Sequence, residues 1–107
     1  MASIDSSYSI SGSGPAIIFI HGIGARKSAW DKVILHLENY FTCISYDLRG
    51  HGGSPQGTFP YSVDVLVEDL EALRITLNLK KIHLVGHSLG GMIGPRYAKS
   101  YPNHVLS

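Results

Sequence analysis

The chain has 107 residues, 44% of them hydrophobic and 16% charged, which is typical of one small globular domain or of part of a larger one. Its net charge of +1 comes from interspersed acids and bases, so the sequence has no basic stripe for nucleic acid and no polybasic patch for a membrane. Met1 to Gly14 lacks the segments of a signal peptide, and no apolar run approaches the roughly 18 residues of a membrane span. We therefore expect a cytoplasmic protein.

The first half of the chain predicts two or three strands and one helix. Tyr8 to Ile10 is compatible with a short first strand, and Ala16 to Ile20 is the continuous apolar run of a strand buried on both faces of a parallel sheet. Ser28 with Asp31 three residues later predicts a capping box at the start of a helix. Thr42 to Tyr46 predicts the next strand. The apolar stripe of the helix comprises Trp30, Ile34, Leu37 and Phe41.

The second half continues the alternation of strands and helices. After a long glycine- and proline-rich connection, Asp47 to Tyr61, Ser62 is expected to cap a second helix. Lys81 to Val85 predicts another buried strand, and Leu89 to Lys99 a third helix, bent at Pro95. Strands separated by helices indicate an α/β fold with a mostly parallel sheet and helices on both faces. The buried side of the second helix is predicted to carry Leu66, Leu70, Leu73 and Leu77.

The motif with the most chemical content is Gly86-His87-Ser88-Leu89-Gly90, which lies between a predicted strand and a predicted helix. A G-x-S-x-G in this position is typical of a nucleophile elbow, a tight strained turn that exposes the serine hydroxyl above the end of a sheet. The small residues Gly86 and Gly90 allow neighbouring chain to pass close to the turn. Ser88 is therefore the candidate nucleophile.

Two further motifs follow the preceding strands. His21-Gly22-Ile23-Gly24 comes directly after Ala16 to Ile20, and Asp47-Leu48-Arg49-Gly50-His51-Gly52 comes directly after Thr42 to Tyr46. Each is weak alone, but in this order and with the elbow they resemble the N-terminal half of an α/β-hydrolase fold. The segment from Tyr46 to Pro55 is most similar to small esterases and lactonases such as the 3-oxoadipate enol-lactonases.

The resemblance implies a role for each motif in acyl transfer. The backbone N–H groups of Ile23 and Leu89 would form the oxyanion hole, and the helix that begins near Leu89 would add a favourable dipole. Gly22 and Gly24 would bring the loop backbone close to a substrate, and His21 would fix that loop by hydrogen bonds. His87 is expected to pack beside the pocket.

The sequence does not contain a complete Ser, acid, His triad in the usual order. Only 19 residues follow Ser88, none of them is Asp or Glu, and His104, the only later histidine, falls at the start of what would be the next strand. The resemblance makes Asp47 structural, and Arg49 and His51, in the loop that follows the same strand, are expected to have structural hydrogen-bond roles. At roughly 30 residues per strand and crossover, an eight-stranded sheet needs more than about 200 residues. We therefore expect residues 1–107 to form a single partial domain, truncated after the nucleophile helix and inactive alone.

Other site types do not fit the residue spacing. Arg26 replaces the glycine that a phosphate loop needs before Lys27, no G-x-G-x-x-G follows a strand, and no histidine and acid spacing predicts a metal, so no cofactor is expected. Serine at the nucleophile position argues against dehalogenases and epoxide hydrolases, which carry aspartate there. Two hypotheses remain: a serine hydrolase with a small ester-like substrate, and a non-catalytic receptor or scaffold of the same fold.

Overall fold

A computed structural model describes residues 7–52 and 62–107. Its four strands are β1 (Tyr8–Gly12), β2 (Ala16–Ile20), β3 (Thr42–Tyr46) and β4 (Ile82–Gly86). They form one sheet in the order β1-β3-β2-β4, in which β3, β2 and β4 are parallel and β1 is antiparallel to β3. The predicted mostly parallel sheet is confirmed. The first strand extends two residues beyond its predicted end.

Helices cover both faces of the sheet. The helices are α1 (Asp31–Leu37), α2 (Val63–Thr76) and α3 (Leu89–Ser100). On one face, Ile18 and Ile20 of β2 are buried with residues of α2 and α3. On the other face, Ile17 and Phe19 contact the predicted apolar stripe. The stripe comprises Ile34 and Leu37 of α1 and the flanking residues Trp30 and Phe41. Burial of all five side chains of β2 explains its uninterrupted apolar run.

The predicted capping box is wrong. A 3-10 helix, Lys27–Trp30, precedes α1, and neither helix has a side-chain cap at its N-terminus. The Lys27 N–H instead donates to Asp47 Oδ1 at 2.7 Å. A carboxylate from the end of β3 therefore satisfies a backbone donor at the start of the turn, and the turn begins earlier than predicted.

The other helix predictions agree more closely with the structure. Ser62 caps α2 by accepting a hydrogen bond from the Val65 N–H at 3.1 Å. The α3 helix is continuous from Leu89 to Ser100 with Pro95 inside it, so the bend stays a prediction. Residues 53–61 of the long predicted connection lie outside the described residues.

A network of polar contacts joins α2 to α3. The Tyr97 hydroxyl donates to Glu71 Oε1 at 2.7 Å, and Arg74 contacts both oxygens of the same carboxylate at 2.6 and 2.9 Å. Burial alone would raise the pKa of Glu71, but the hydrogen bonds from Arg74 and Tyr97 outweigh it and keep that pKa below its ordinary value. A buried carboxylate paired in this way fixes the packing of the two helices.

The C-terminal residues of the chain pair with β4, which lies at the end of the strand order. After a 3-10 helix, Pro102–His104, Val105 forms a parallel bridge with Ile82 of β4. The Leu106 N–H donates to Ile82 O at 2.8 Å, and the Leu84 N–H donates to Ser107 O at 2.9 Å. Pairing therefore begins at Val105, one residue later than expected. Among the described residues, no helix has the length and apolar character needed to cross a membrane.

Candidate active site

Three loops leave the sheet at the same level. Ile20 pairs with Tyr46 on one side and with Gly86 on the other, so β2, β3 and β4 end side by side. The loops that begin at His21, Asp47 and His87 therefore share one edge of the sheet. The carboxyl ends of parallel strands are where α/β folds bind their ligands, and all three sequence motifs lie there.

Ser88 has the geometry of a strained elbow. Its φ of 56° and ψ of −115° lie in a region that residues with a side chain rarely adopt. The residue is exposed, and its hydroxyl has no hydrogen-bond partner within residues 7–52 and 62–107. The surrounding chain holds Ser88 in this conformation at the N-terminus of α3, with its side chain exposed to solvent.

Three glycines make the elbow possible. A Cβ on Gly86 would collide with the carbonyl of Gly90, and a Cβ on Gly90 would collide with the carbonyl of Ile20. That carbonyl also accepts the His87 N–H at 3.1 Å, so the start of α3 lies directly against the end of β2. A Cβ on Gly22 would stand 3.0 Å from Ser88 Cβ, which places the loop after β2 beside the serine.

The two predicted oxyanion donors make no hydrogen bond with the part of the chain that the structure describes. The Gly90 N–H donates to His87 O and the Gly91 N–H to Ser88 O, each at 2.9 Å. In contrast, neither the Leu89 N–H nor the Ile23 N–H donates to any of the described residues. The Leu89 N–H belongs to the positive end of the 12-residue α3 helix. The Ile23 side chain is 75% exposed.

His21 holds the His21–Gly24 loop and is fully engaged in doing so. Its Nε2 accepts the Leu48 N–H at 3.0 Å, which leaves the proton on Nδ1 to be donated to Gly22 O at 2.6 Å. The side chain is only 1% exposed, and burial lowers its pKa, with the neighbouring His51 acting in the same direction. His21 is therefore neutral and has no free ring nitrogen in this structure.

Sequence reasoning missed the partners of the loop after β3. His51 Nε2 accepts the Gly24 N–H at 3.0 Å, and Arg49 forms two hydrogen bonds with Asp69 of α2 at 2.7 and 2.9 Å. Asp47 supports the Lys27 turn, as described above. The order of the predicted strands could have indicated these contacts. Because β2 and β3 end at the same edge of the sheet, the polar residues that follow the two strands lie close together.

Neither His87 nor His104 forms a hydrogen bond with Ser88 in the described part of the chain. His87 is exposed and, together with Trp30 and Val33, lines a cavity of about 310 Å³ beside Gly22. His104 Nδ1 lies 2.8 Å from Lys80 O, so this ring is bonded to the segment that precedes β4. No group of three or more potential metal ligands occurs among residues 7–52 and 62–107.

Comparison with known families agrees with this geometry. A family model described as the alpha/beta hydrolase fold matches residues 15–107, which include the elbow and both supporting loops. The chain belongs to the α/β-hydrolase fold family. The resemblance inferred from the three motifs is therefore confirmed at the level of the family.

Individual α/β-hydrolases are similar over most of this chain. A fluoroacetate dehalogenase of Burkholderia sp is 40% identical over 103 residues, covering 92% of this chain and 34% of that protein. The 3-oxoadipate enol-lactonase 2 of Acinetobacter baylyi is 35% identical over 88 residues, covering 82% of this chain and 33% of that protein. The crystal structure of an E-2-(acetamidomethylene)succinate hydrolase superimposes with a TM-score of 0.92 and 34% identity, covering 95% of this chain and 38% of that one. The chain thus spans about a third of the length of these relatives.

Proposed function

We propose that this chain carries the nucleophile and the oxyanion hole of a serine hydrolase that cleaves a carboxylic ester, lactone or thioester. The observation that supports this most strongly is the exposed Ser88 in its strained elbow beside Gly22, together with Leu89 and Ile23 N–H groups that donate to none of the described residues. Such a site would combine a serine hydroxyl with two backbone donors, none of which has a partner within residues 7–52 and 62–107. That combination suits a reaction in which a carbonyl oxygen becomes negatively charged.

The chemistry follows from these groups. Ser88 Oγ attacks the substrate carbonyl carbon while a general base removes its proton, and the resulting oxyanion accepts hydrogen bonds from the Ile23 and Leu89 N–H groups. The tetrahedral intermediate expels an alcohol or thiol, which takes the proton, and leaves an acyl ester on Ser88. Water then attacks the same carbonyl and releases the acid. In a lactone the leaving alcohol stays attached to the product.

The base and its carboxylate partner are proposed to lie beyond these 107 residues. His21 and His51 are the histidines of the neighbouring loops, and both ring nitrogens of each are occupied by backbone groups. Neither can accept the proton of Ser88 without breaking a bond that supports the site. We therefore propose that the chain alone is inactive, and that the complete gene product supplies the missing pair.

Serine as the nucleophile also restricts the substrate class. Attack of Ser88 on an alkyl halide or an epoxide would form an ether, which water does not cleave under these conditions, whereas an acyl ester retains an electrophilic carbonyl. Carboxylic acid derivatives are thus the substrates that permit turnover. The similarity to a lactonase and to structures of esterases supports this class.

The direct test is covalent labelling of the full-length gene product with a fluorophosphonate probe. We expect one phosphonyl group per chain, located on Ser88, and no labelling of the Ser88→Ala variant. Ser100→Ala is the matched control, because Ser100 is an exposed serine at the other end of α3 and its loss should leave labelling unchanged. A folded protein that is not labelled would contradict the proposal and favour a non-catalytic binding role.

A further inference from the structure

We propose that His51 is a positioning residue for the oxyanion hole, acting through the backbone of Gly24. The inference rests on the proposed function, since it assigns a task to the Ile23 N–H. His51 lies in the loop after β3, while Ile23 lies in the His21–Gly24 loop after β2. The hydrogen bond from the Gly24 N–H to His51 Nε2, 3.0 Å long, joins the two loops beside Ile23, in addition to the bond from the Leu48 N–H to His21 Nε2.

The backbone partners of His51 determine its protonation state. Nε2 faces the Gly24 N–H, which can only donate, and Nδ1 lies 3.0 Å from Arg49 O, which can only accept. The imidazole therefore has to be neutral with its proton on Nδ1. His21 has the same arrangement, with Nε2 toward a backbone N–H and Nδ1 toward a carbonyl. The two rings lie 5.1 Å apart.

These two histidines hold the two peptide groups that flank Ile23. His21 donates to Gly22 O, the oxygen of the peptide group that carries the Ile23 N–H, and Gly22 O also accepts the Ala25 N–H at 3.1 Å. His51 accepts the N–H of the following peptide group. Because a trans peptide is planar and its O and H point in opposite directions, fixing both groups fixes the direction of the Ile23 N–H.

His51 is itself held by hydrogen bonds that lead to α2. Its Nδ1 is bonded to the backbone of Arg49, and the guanidinium of Arg49 forms a two-pronged contact with the buried carboxylate of Asp69 on α2. The His21–Gly24 loop is therefore connected through His51 and Arg49 to α2, which packs on one face of the sheet. The φ of Gly24 is 77°, a conformation available mainly to glycine, and nothing lies within 4 Å of the space a Cβ would occupy. Because glycine is the residue with the most backbone freedom, the hydrogen bond to His51 is what restrains it in the proposed role.

Two variants of His51 separate the two hydrogen bonds. His51→Gln places an amide oxygen near the position of Nε2, so it can still accept the Gly24 N–H. His51→Asn places an amide nitrogen near the position of Nδ1, so it can still donate to Arg49 O but does not reach Gly24. In the full-length gene product, we expect the Gln variant to react with a fluorophosphonate at a rate within about threefold of the wild type. We expect the Asn variant to react about 10- to 100-fold more slowly.

The outcomes distinguish this inference from the proposed function. If wild-type Ser88 is not labelled, the proposed function fails. If the wild type is labelled but the Asn variant reacts as fast as the Gln variant, with thermal melting showing both folded, His51 is only a structural residue of its own loop and the inference is overturned. Long-range ¹H–¹⁵N NMR of the wild type gives an independent check, because the inference requires the His51 proton on Nδ1 and a proton on Nε2 would contradict it.

Discussion

Replacing Ser88 by alanine is expected to lower kcat for hydrolysis of an activated ester by the full-length gene product about 10⁴- to 10⁶-fold. The hydroxyl is the only group of the proposed site that can form the acyl bond, and removal of the nucleophile in serine hydrolases has effects of this size. Binding of the substrate should change little, because the donors and the pocket remain. The measurement is steady-state kinetics with a p-nitrophenyl ester of a short acid.

Two substitutions of Ser88 are expected to differ in stability although both abolish activity. Ser88 has a φ of 56° and makes no side-chain capping bond, so glycine would relieve the backbone strain and lose no hydrogen bond within the described residues. Ser88→Gly should therefore unfold at a higher urea concentration than Ser88→Ala, with a difference of about 1–3 kcal/mol, although both are inactive. Equal stability of the two variants would indicate that Ser88 is not held in a strained conformation.

Replacing Gly90 by alanine is expected to destabilise the protein by about 2–3 kcal/mol. The added methyl group would strike the carbonyl of Ile20, a backbone oxygen that is fixed by the sheet and by its hydrogen bond with the His87 N–H. The clash can be relieved only if α3 moves away from the end of β2. Since Ser88 lies at the start of α3, activity should fall together with stability.

Gly94→Ala is the matched control for this experiment. Gly94 lies one turn further along α3, and nothing lies within 4 Å of the space that an added Cβ would occupy there, so alanine should stabilise the helix by about 0.5–1 kcal/mol. Urea denaturation of the two variants measures the difference. Equal stability of Gly90→Ala and Gly94→Ala would contradict the close contact between Gly90 of α3 and the Ile20 carbonyl of β2.

The strands and the elbow could be predicted because their signals are local. Ala16 to Ile20 is apolar at every position, and the structure buries all five side chains between helices on both faces. The order of elements then required a parallel sheet, in which Gly86 and Ile20 end together. The site of Ser88 followed from a five-residue motif and its place between a strand and a helix.

The contacts that hold the site could not be predicted because they join distant residues. The Lys27 N–H and Asp47 are 20 residues apart, and Gly24 and His51 are 27 apart. In the first case the distant carboxylate replaced the local capping box of Ser28. In the second case the sequence shows His51 but does not reveal that Gly24 is its partner. A hydrogen bond between two loops depends on the register of the strands that precede them.

The central claim is that the reaction passes through an acyl group on Ser88, and trapping that group is its most direct test. The full-length gene product is mixed with a p-nitrophenyl ester, quenched in acid within the first turnover and digested for peptide mass spectrometry. We predict a burst of one p-nitrophenolate per active site, with the acyl mass on the peptide that contains Ser88. Ester turnover without an adduct on Ser88, or with the acyl group on another residue, would contradict the account.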